Sequence, residues 1–202
     1  MITALTHFDA LLFTLINSHH TLFLDRIFLA ITQFGNGWVA IPLTALIIIL
    51  KTPREFLAKA LLCAVIVGTT SGILNTQIKH LVHRDRPALC CTRIDSTGKS
   101  IMMPVHIVGE TLRHNSFPSG HANTAFTAAT ILALYFGGYF FYGYLAAFLI
   151  ALSRVYVGAH FPFDTAGGAI IGCLAAMIII FLFRSRKWLP GSLSNRRKSA
   201  EQ

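Results

Sequence analysis

The stretch "SFPSGHANTAFTAATILALYFGGYFFYGYLAAFLIALSR", residues 116–154, contains no Asp, Glu, Lys or Arg before its last residue. A helix without a charged face has nothing to offer water, so this chain belongs in hydrocarbon or in a bundle packed there. It is about twice the roughly 20 apolar residues that one helix needs to cross a ~30 Å core. Its middle, "FGGYFFYGY" (Phe136 to Tyr144), is broken by glycines. The stretch therefore predicts a hairpin of two membrane helices.

Three more charge-free intervals lie outside it, between Arg26 and Lys51, between Lys59 and Lys79, and between Asp164 and Arg184. Each suits one crossing. The 202-residue chain is 54% hydrophobic and only 12% charged, where soluble domains carry about 25% charge. The expected fold is all-α: a multi-pass transmembrane helical bundle of five spans in a single domain, residues 1–202. At the amino terminus, "THFDALLFTLINSHH" is apolar but short, and Asp25 and Arg26 interrupt the apolar residues after it. Residues 1–26 are expected to form an interfacial amphipathic helix, with a sixth span as the alternative. No basic region leads into an apolar stretch and a small-residue cleavage site, so no removable signal peptide is expected.

Orientation follows the basic residues. The tail "RSRKWLPGSLSNRRKSAEQ" (184–202) holds six Lys/Arg, and "KTPREFLAK" (51–59) three more. The positive-inside rule places both in the cytoplasm, and five alternating spans put them on the same side. The expected location is the cell (inner) membrane, with the loop 79–118 outside. Yet that loop also holds six Lys/Arg: Lys79, Arg84, Arg86, Arg93, Lys99 and Arg113.

Positive charge on the translocated side needs its own cause. Alternation gathers four helix ends on that face: Lys79, then Ser119 with His121, then Arg154, then His160 with Asp164. Cations near the bilayer cost free energy, and three of them beside two histidines form a pocket for an anion. Ser119 and Gly120 add a helix amino terminus, whose free N–H groups and dipole attract phosphate. Each residue also has a plain structural use. Ser119 can cap a helix, Asp164 suits a first helical turn, Arg154 can snorkel to the interface, and His160 can be a hydrogen-bonded interfacial histidine. Lys79, Arg84 and Arg86 can be an ordinary basic flank. Their common depth on one face favours the pocket.

The spacing carries a resemblance. "KHLVHRDRP" (Lys79 to Pro87), "PSGH" (Pro118 to His121) and "SRVYVGAHFPFD" (Ser153 to Asp164) resemble the three-part signature of the phosphatidic acid phosphatase type 2 superfamily. Those membrane lipid phosphatases have a site similar to that of vanadium haloperoxidases. No motif position is substituted, although some members have an additional amino-terminal span. The resemblance implies that His160 attacks phosphorus to form a phosphohistidine, that Asp164 accepts a hydrogen bond from its other ring nitrogen, and that His121 is the general acid to the leaving group. It implies that Lys79, Arg86 and Arg154, with the Ser119 hydroxyl and the Gly120 N–H, hold the phosphate oxygens; a planar guanidinium suits phosphate.

No metal and no cofactor are expected. The acidic residues of the outer side, Asp85, Asp95, Glu110 and Asp164, are too few and too mixed with basic ones for a two-metal site. Asp85 is expected to be a salt-bridge partner. Cys63 and Cys173 fall inside spans as packing residues, and the adjacent Cys90 and Cys91 would pair only with strain. His80, His83, His106 and His114 match no familiar ligand set. Two other classes compete: a haem carrier with His121 and His160 as axial ligands, which leaves the cations unexplained, and a basic anion- or lipid-binding site without chemistry. Visible absorbance and phosphate release separate them. The partners expected are the bilayer and a membrane lipid phosphate, with no nucleic acid. By resemblance the candidate substrates are undecaprenyl diphosphate, phosphatidylglycerophosphate, phosphatidic acid and lipid A phosphates. Transfer to a second lipid, instead of hydrolysis, would use the same residues.

Overall fold

The computed structural model describes residues 2–90, 92–94, 100–102 and 105–184. Cys91, Asp95, Lys99 and the tail after Arg184 lie outside the described residues. Eight helices run in order: α1 (Ile2–Asn17), α2 (Leu22–Gln33), α3 (Gly37–Lys51), α4 (Arg54–Val82), the short α5 (Pro87–Cys90), α6 (Gly120–Phe136), α7 (Phe141–Tyr156) and α8 (Pro162–Arg184). Between α5 and α6 a two-stranded antiparallel ribbon pairs β1 (Thr92–Ile94) with β2 (Ser100–Met102). It is a small addition to the helical architecture expected.

The charge-free stretch is a hairpin of two helices, but at 17 and 16 residues neither reaches the length expected of a crossing. Among the described residues two helices, or three if a bent pair counts as one, are long and apolar enough to span. The first helix of the hairpin, α6, stops at Phe136, capped by Gly137, and a single 3-10 turn leads into α7. α6 stands at the centre, packed most extensively on α8 and also on α7, α4 and α3. Ile48, Ala60, Cys63, Val67, Ile131, Leu132, Tyr135, Ala176 and Ile180 close one core around it, so Cys63 is a packing residue. Ser71 on α4 bonds Asn123 and Thr127 on α6 at 2.8 and 2.9 Å, the interhelical polar contact used where hydrocarbon surrounds a bundle. The outer faces are apolar, with Trp38, Leu50, Val65, Ile73, Ile178 and Phe181 exposed. A surface of this kind suits lipid rather than water.

α4 and α8 are each long and apolar enough to cross a membrane. The interval between Arg26 and Lys51, expected to suit one crossing, lies in the pair α2 and α3, which is long and apolar enough for one crossing only when the two are taken together across a 60° bend. Asn36 accepts from the Trp38 N–H and starts α3 afresh, while Thr21 caps α2. Asp25 and Arg26 therefore lie in the first turn of a helix and do not interrupt one. Asp25 is satisfied by Tyr156 Oη–H at 2.7 Å and by His106 Nε2 at 3.0 Å.

Residues 1–26, expected to form one interfacial helix, hold α1 and the start of α2, with a break between Asn17 and Leu22. Leu5, Phe8, Leu11 and Leu15 face outward, while Asp9, Phe13 and Asn17 are buried against the bundle. The spacing of four puts those three on one stripe.

Close approach of α8 to α6 depends on glycine. A Cβ on Gly168 would strike the Ser119 carbonyl oxygen, and backbone cannot yield as a side chain can. Gly168→Ala should therefore destabilise by about 1–3 kcal/mol, as overpacking does. Thermal unfolding in detergent measures it, and an unchanged midpoint would show that the contact relaxes freely.

Candidate active site

The residues singled out by spacing meet at one end of the bundle. Lys79 is in the last turn of α4, Ser119 at the amino cap of α6 with His121 in its first turn, Arg154 in the last turn of α7 and Asp164 in the first turn of α8. His160 sits in the turn between α7 and α8, where its N–H and that of Ala159 both donate to the Arg154 carbonyl. Gly158 makes this turn with φ +77°, and a Cβ there would meet the His106 carbonyl oxygen, so only glycine fits. The "PSGH" loop is fastened to α8 by the Ser119 N–H, which donates to the Asp164 carbonyl at 2.9 Å. Lys79, Arg86, Arg154 and His160 all lie close enough to His121 to act on it electrostatically.

His160 is buried. Arg86 Nη1 stands 3.2 Å from its Nε2. A guanidinium can only donate, so Nε2 accepts, carries the lone pair, and leaves the ring proton on Nδ1. Burial pushes the imidazole down to about 4, and the charges of Arg86 and Arg154 add to this against the opposing pull of Asp164. At neutral pH the ring is an uncharged base. Its Nδ1 is 3.7 Å from Asp164 Oδ2, longer than the expected hydrogen bond. The reason is that Oδ2 already accepts from Ser116 Oγ–H and from the Phe161 N–H at 2.8 Å. By reaching back to Phe161, Asp164 also caps its own helix, so its structural use is present while the expected hydrogen bond from His160 is not made.

The plain alternatives fare less well for the other residues. Ser119 Oγ is fully buried and makes no hydrogen bond, so it is not a side-chain cap. Arg154 does not snorkel: it is buried, Nη1 donates to Thr32 Oγ1 at 2.9 Å, and Nε has no hydrogen-bond partner. Lys79 makes no hydrogen bond or ion pair among the described residues. The Gly120 N–H opens the α6 terminus, and no neighbour crowds its Cα.

Arg86 is more deeply built in than a phosphate ligand needs to be. Nε donates to the His114 carbonyl at 2.8 Å, Nη1 to that of Ala159 at 2.9 Å and Nη2 to that of Asn115 at 3.4 Å. It joins the loop before α6 to the turn that carries His160. Arg84, read as part of a basic flank, reaches Asp164 Oδ1 with Nη1 at 2.7 Å and Asp9 Oδ2 with Nη2 at 2.6 Å. Asp9, Arg84, Ser116 and Thr32 are the site residues that spacing missed. Asp85 pairs with His114 at 2.9 Å on the surface, and His106 with Asp25, its ring stacked on His20. Among the described residues no three His, Cys, Asp or Glu side chains converge as a metal-ligand set.

Beside this end, an apolar groove of about 350 Å³ runs between α3, α4 and α6, lined by Ala40, Leu61, Ala64, Gly68, Gly72 and Asn123 among others. Its lining starts at Asn123 and Thr124 near the amino end of α6 and runs to Leu61 and Ile131.

Residues 57–188 match the PAP2 superfamily. The chain belongs to that superfamily. It is a membrane-embedded phosphatase. Its three motifs lie on adjoining helix ends. The PAP2 chain is 29% identical over 169 residues to the undecaprenyl-diphosphatase of Sulfolobus acidocaldarius, across 82% of this chain and 73% of the relative. It is 30% identical over 191 residues to the lipid A 4'-phosphatase of Bacteroides thetaiotaomicron, across 90% and 80% respectively. In fold it is similar to the transmembrane PAP2 type phosphatidylglycerolphosphate phosphatase of Bacillus subtilis. The TM-score is 0.71 at 23% identity, covering 91% of this chain and 88% of that one.

Proposed function

We propose that this PAP2 phosphatase hydrolyses a phosphate from a membrane lipid phosphate or diphosphate through a phosphohistidine on His160. The observation that carries the proposal is the pairing of a neutral imidazole, its Nε2 lone pair held by Arg86, with the uncommitted donors Ser119 Oγ, Arg154 Nε and Lys79 Nζ. Ser119 Oγ and Arg154 Nε are buried without partners, which is rare and costly, and a phosphate would satisfy both and pair with the half-buried Lys79. In the first step the Nε2 lone pair forms an N–P bond as the P–O bond to the lipid breaks. His121 protonates the departing oxygen. Asp164 stabilises the imidazolium, its contact with Nδ1–H closing as charge appears there. In the second step water attacks phosphorus, its proton passes to His121, and the N–P electron pair returns to Nε2. Lys79, Arg154, Ser119 Oγ and the Gly120 N–H hold the equatorial oxygens. Arg86 turns its N–H from Nε2 to one of them as the N–P bond forms. Fixed cations do the electrostatic work here, without a metal.

The apolar groove between α3, α4 and α6 supports a substrate with a lipid chain. Undecaprenyl diphosphate and phospholipid phosphates are the favoured substrates, and the names of the Sulfolobus and Bacteroides relatives support the isoprenoid and lipid A alternatives. Transfer to a second lipid would differ only in what attacks the phosphohistidine. The basic segments support a site on the outer face of the cell (inner) membrane and a carboxyl terminus in the cytoplasm. A membrane-impermeant thiol reagent should then label Cys90 or Cys91 in intact cells and spare a cysteine placed at Ser199. The reverse pattern would invert the topology.

The direct test offers the purified protein undecaprenyl diphosphate, phosphatidylglycerophosphate, phosphatidic acid and lipid A, with excess EDTA throughout. Phosphate should be released from at least one of them. Release from none would leave a binding protein, and abolition by EDTA with rescue by Mg²⁺ would overturn the metal-free chemistry.

A further inference from the structure

Asp9 is a fully buried carboxylate on α1, in the stripe it shares with Phe13 and Asn17. Burying a charge is costly unless it is paired and hydrogen-bonded. Anchoring α1 does not require that cost. Asn17 already ties this helix to the bundle through the backbone of His106 and the Tyr156 carbonyl, and Phe13 packs edge-on against Phe161. What distinguishes Asp9 is its partner. Its Oδ2 accepts from Arg84 Nη2, its Oδ1 accepts from the Phe163 N–H at 2.9 Å, and the other end of the same guanidinium donates to Asp164 Oδ1. Arg84 is held in place by the Phe161 ring, 4.3 Å from Cζ to the ring centroid.

One guanidinium is thus divided between two buried carboxylates. We propose that Asp9 is a positioning residue for phosphoryl transfer, which through Arg84 keeps Asp164 negative and in place for the charge that forms on His160. This rests on His160 being the nucleophile. Asp9, Arg84 and Asp164 together carry a net charge of one negative, and the phospho-imidazolium carries one positive on the ring. Attack therefore neutralises a buried cluster. With Asp9 uncharged, Arg84 would cancel Asp164 alone, and the new cation would have no counter-charge. Low local dielectric makes that difference large. Burial raises the Asp9 carboxyl, while the Phe163 N–H and Arg84 act against that rise, and the 2.6 Å contact to Arg84 is that of a charge-assisted bond.

Asp9→Asn tests this in the full-length protein, since the amide keeps the shape and still accepts from Phe163. With radiolabelled short-chain phosphatidic acid in micelles, rapid quench should show phosphoenzyme formation slowed by about 10- to 100-fold, with KM within about twofold of wild type. In an Asp164→Asn background the same change should cost less than about twofold, because Asp9 acts only through Asp164. A purely structural Asp9 would instead lower the melting temperature, leave the chemical step of the folded protein unchanged, and add its effect in the double variant. Either a normal rate in Asp9→Asn or additive losses would overturn the proposal. If Asp9→Asn does not accumulate, Arg84→Lys decides. An ammonium cannot span both carboxylates, so the chemical step should slow comparably, and a wild-type rate would refute the relay. A phosphoenzyme trapped in His160→Ala would instead overturn the underlying assignment of the nucleophile, which separates the two failures.

Discussion

His160→Ala is expected to lose activity by about 10⁴-fold or more on every substrate, the scale of removing a covalent nucleophile, and to form no phosphoenzyme. In the wild type, quenching with alkali during turnover should trap labelled phosphate on the protein, and acid should release it, the stability pattern of a phosphoramidate. The ring's environment adds a pH signature. With its imidazole held near 4 chiefly by burial, His160 stays a neutral base through the neutral range. The fraction competent for attack falls only as pH drops through about 4, so an acid limb near 6.5 in kcat/KM would have to belong to the substrate phosphate. A diphosphate and a monoester, with different ionisations, separate these origins. Stability moves with the same proton. The unfolded chain takes it up near 6.5 and the folded chain only near 4, so the stability contributed by the neutral buried ring is present above about 6.5. It is lost as pH falls through that window. Phosphoenzyme in the alanine variant would remove His160 as nucleophile.

The site was legible because its residues report their own geometry. Arg154, His160 and Asp164 lie within one helix–turn–helix, so spacing alone fixes their mutual placement. Alternation of helices then brings "PSGH" and Lys79 to the same end. Arg84 could not be found this way. Its partner Asp9 is 75 positions away, on a helix whose packing no local pattern encodes. A signal did exist, for the helix around "HFDALLF" holds no lysine or arginine, and a carboxylate in such a place must find a cation elsewhere. The bend between α2 and α3 was hidden for a different reason. Hydropathy reports that Arg26 to Lys51 is apolar, and both arms are; the turn comes from Asn36 capping α3. Arg154 shows what the bend does for the site, because its guanidinium reaches Thr32 on α2 at 2.9 Å, just before the chain changes direction.

Buried polar contacts of this kind divide the cations into two sets. Arg84 and Arg86 are committed to carboxylates and carbonyls, and they hold the backbone around His160. Lys79 and part of Arg154 are uncommitted. Substituting the first set should disturb the fold of the loop before α6 as well as the chemistry. Lys79→Ala should act on phosphate binding and transition-state charge, because no contact described for Lys79 holds other chain in place.

His121→Ala should cost about 10²–10⁴-fold on an alkyl phosphate, the usual worth of a general acid, and much less on an ester with a good leaving group. His121 is in the first turn of α6, close enough to Lys79, Arg86 and Arg154 to feel their charge. The proton matters in proportion to the basicity of the departing oxygen. An alkoxide leaves poorly without it, whereas p-nitrophenolate needs almost none. The first turnover of p-nitrophenyl phosphate should therefore retain a far larger fraction of its wild-type rate in His121→Ala than the first turnover of a lipid alkyl phosphate. Steady-state rates would blur the contrast, since hydrolysis of the phosphohistidine also passes through His121 and is the same for both esters. Burst amplitude settles that point: the variant should accumulate phosphoenzyme from p-nitrophenyl phosphate because its second step is slow. Equal losses on both esters in single turnover would assign leaving-group protonation to another residue and leave His121 a part in binding.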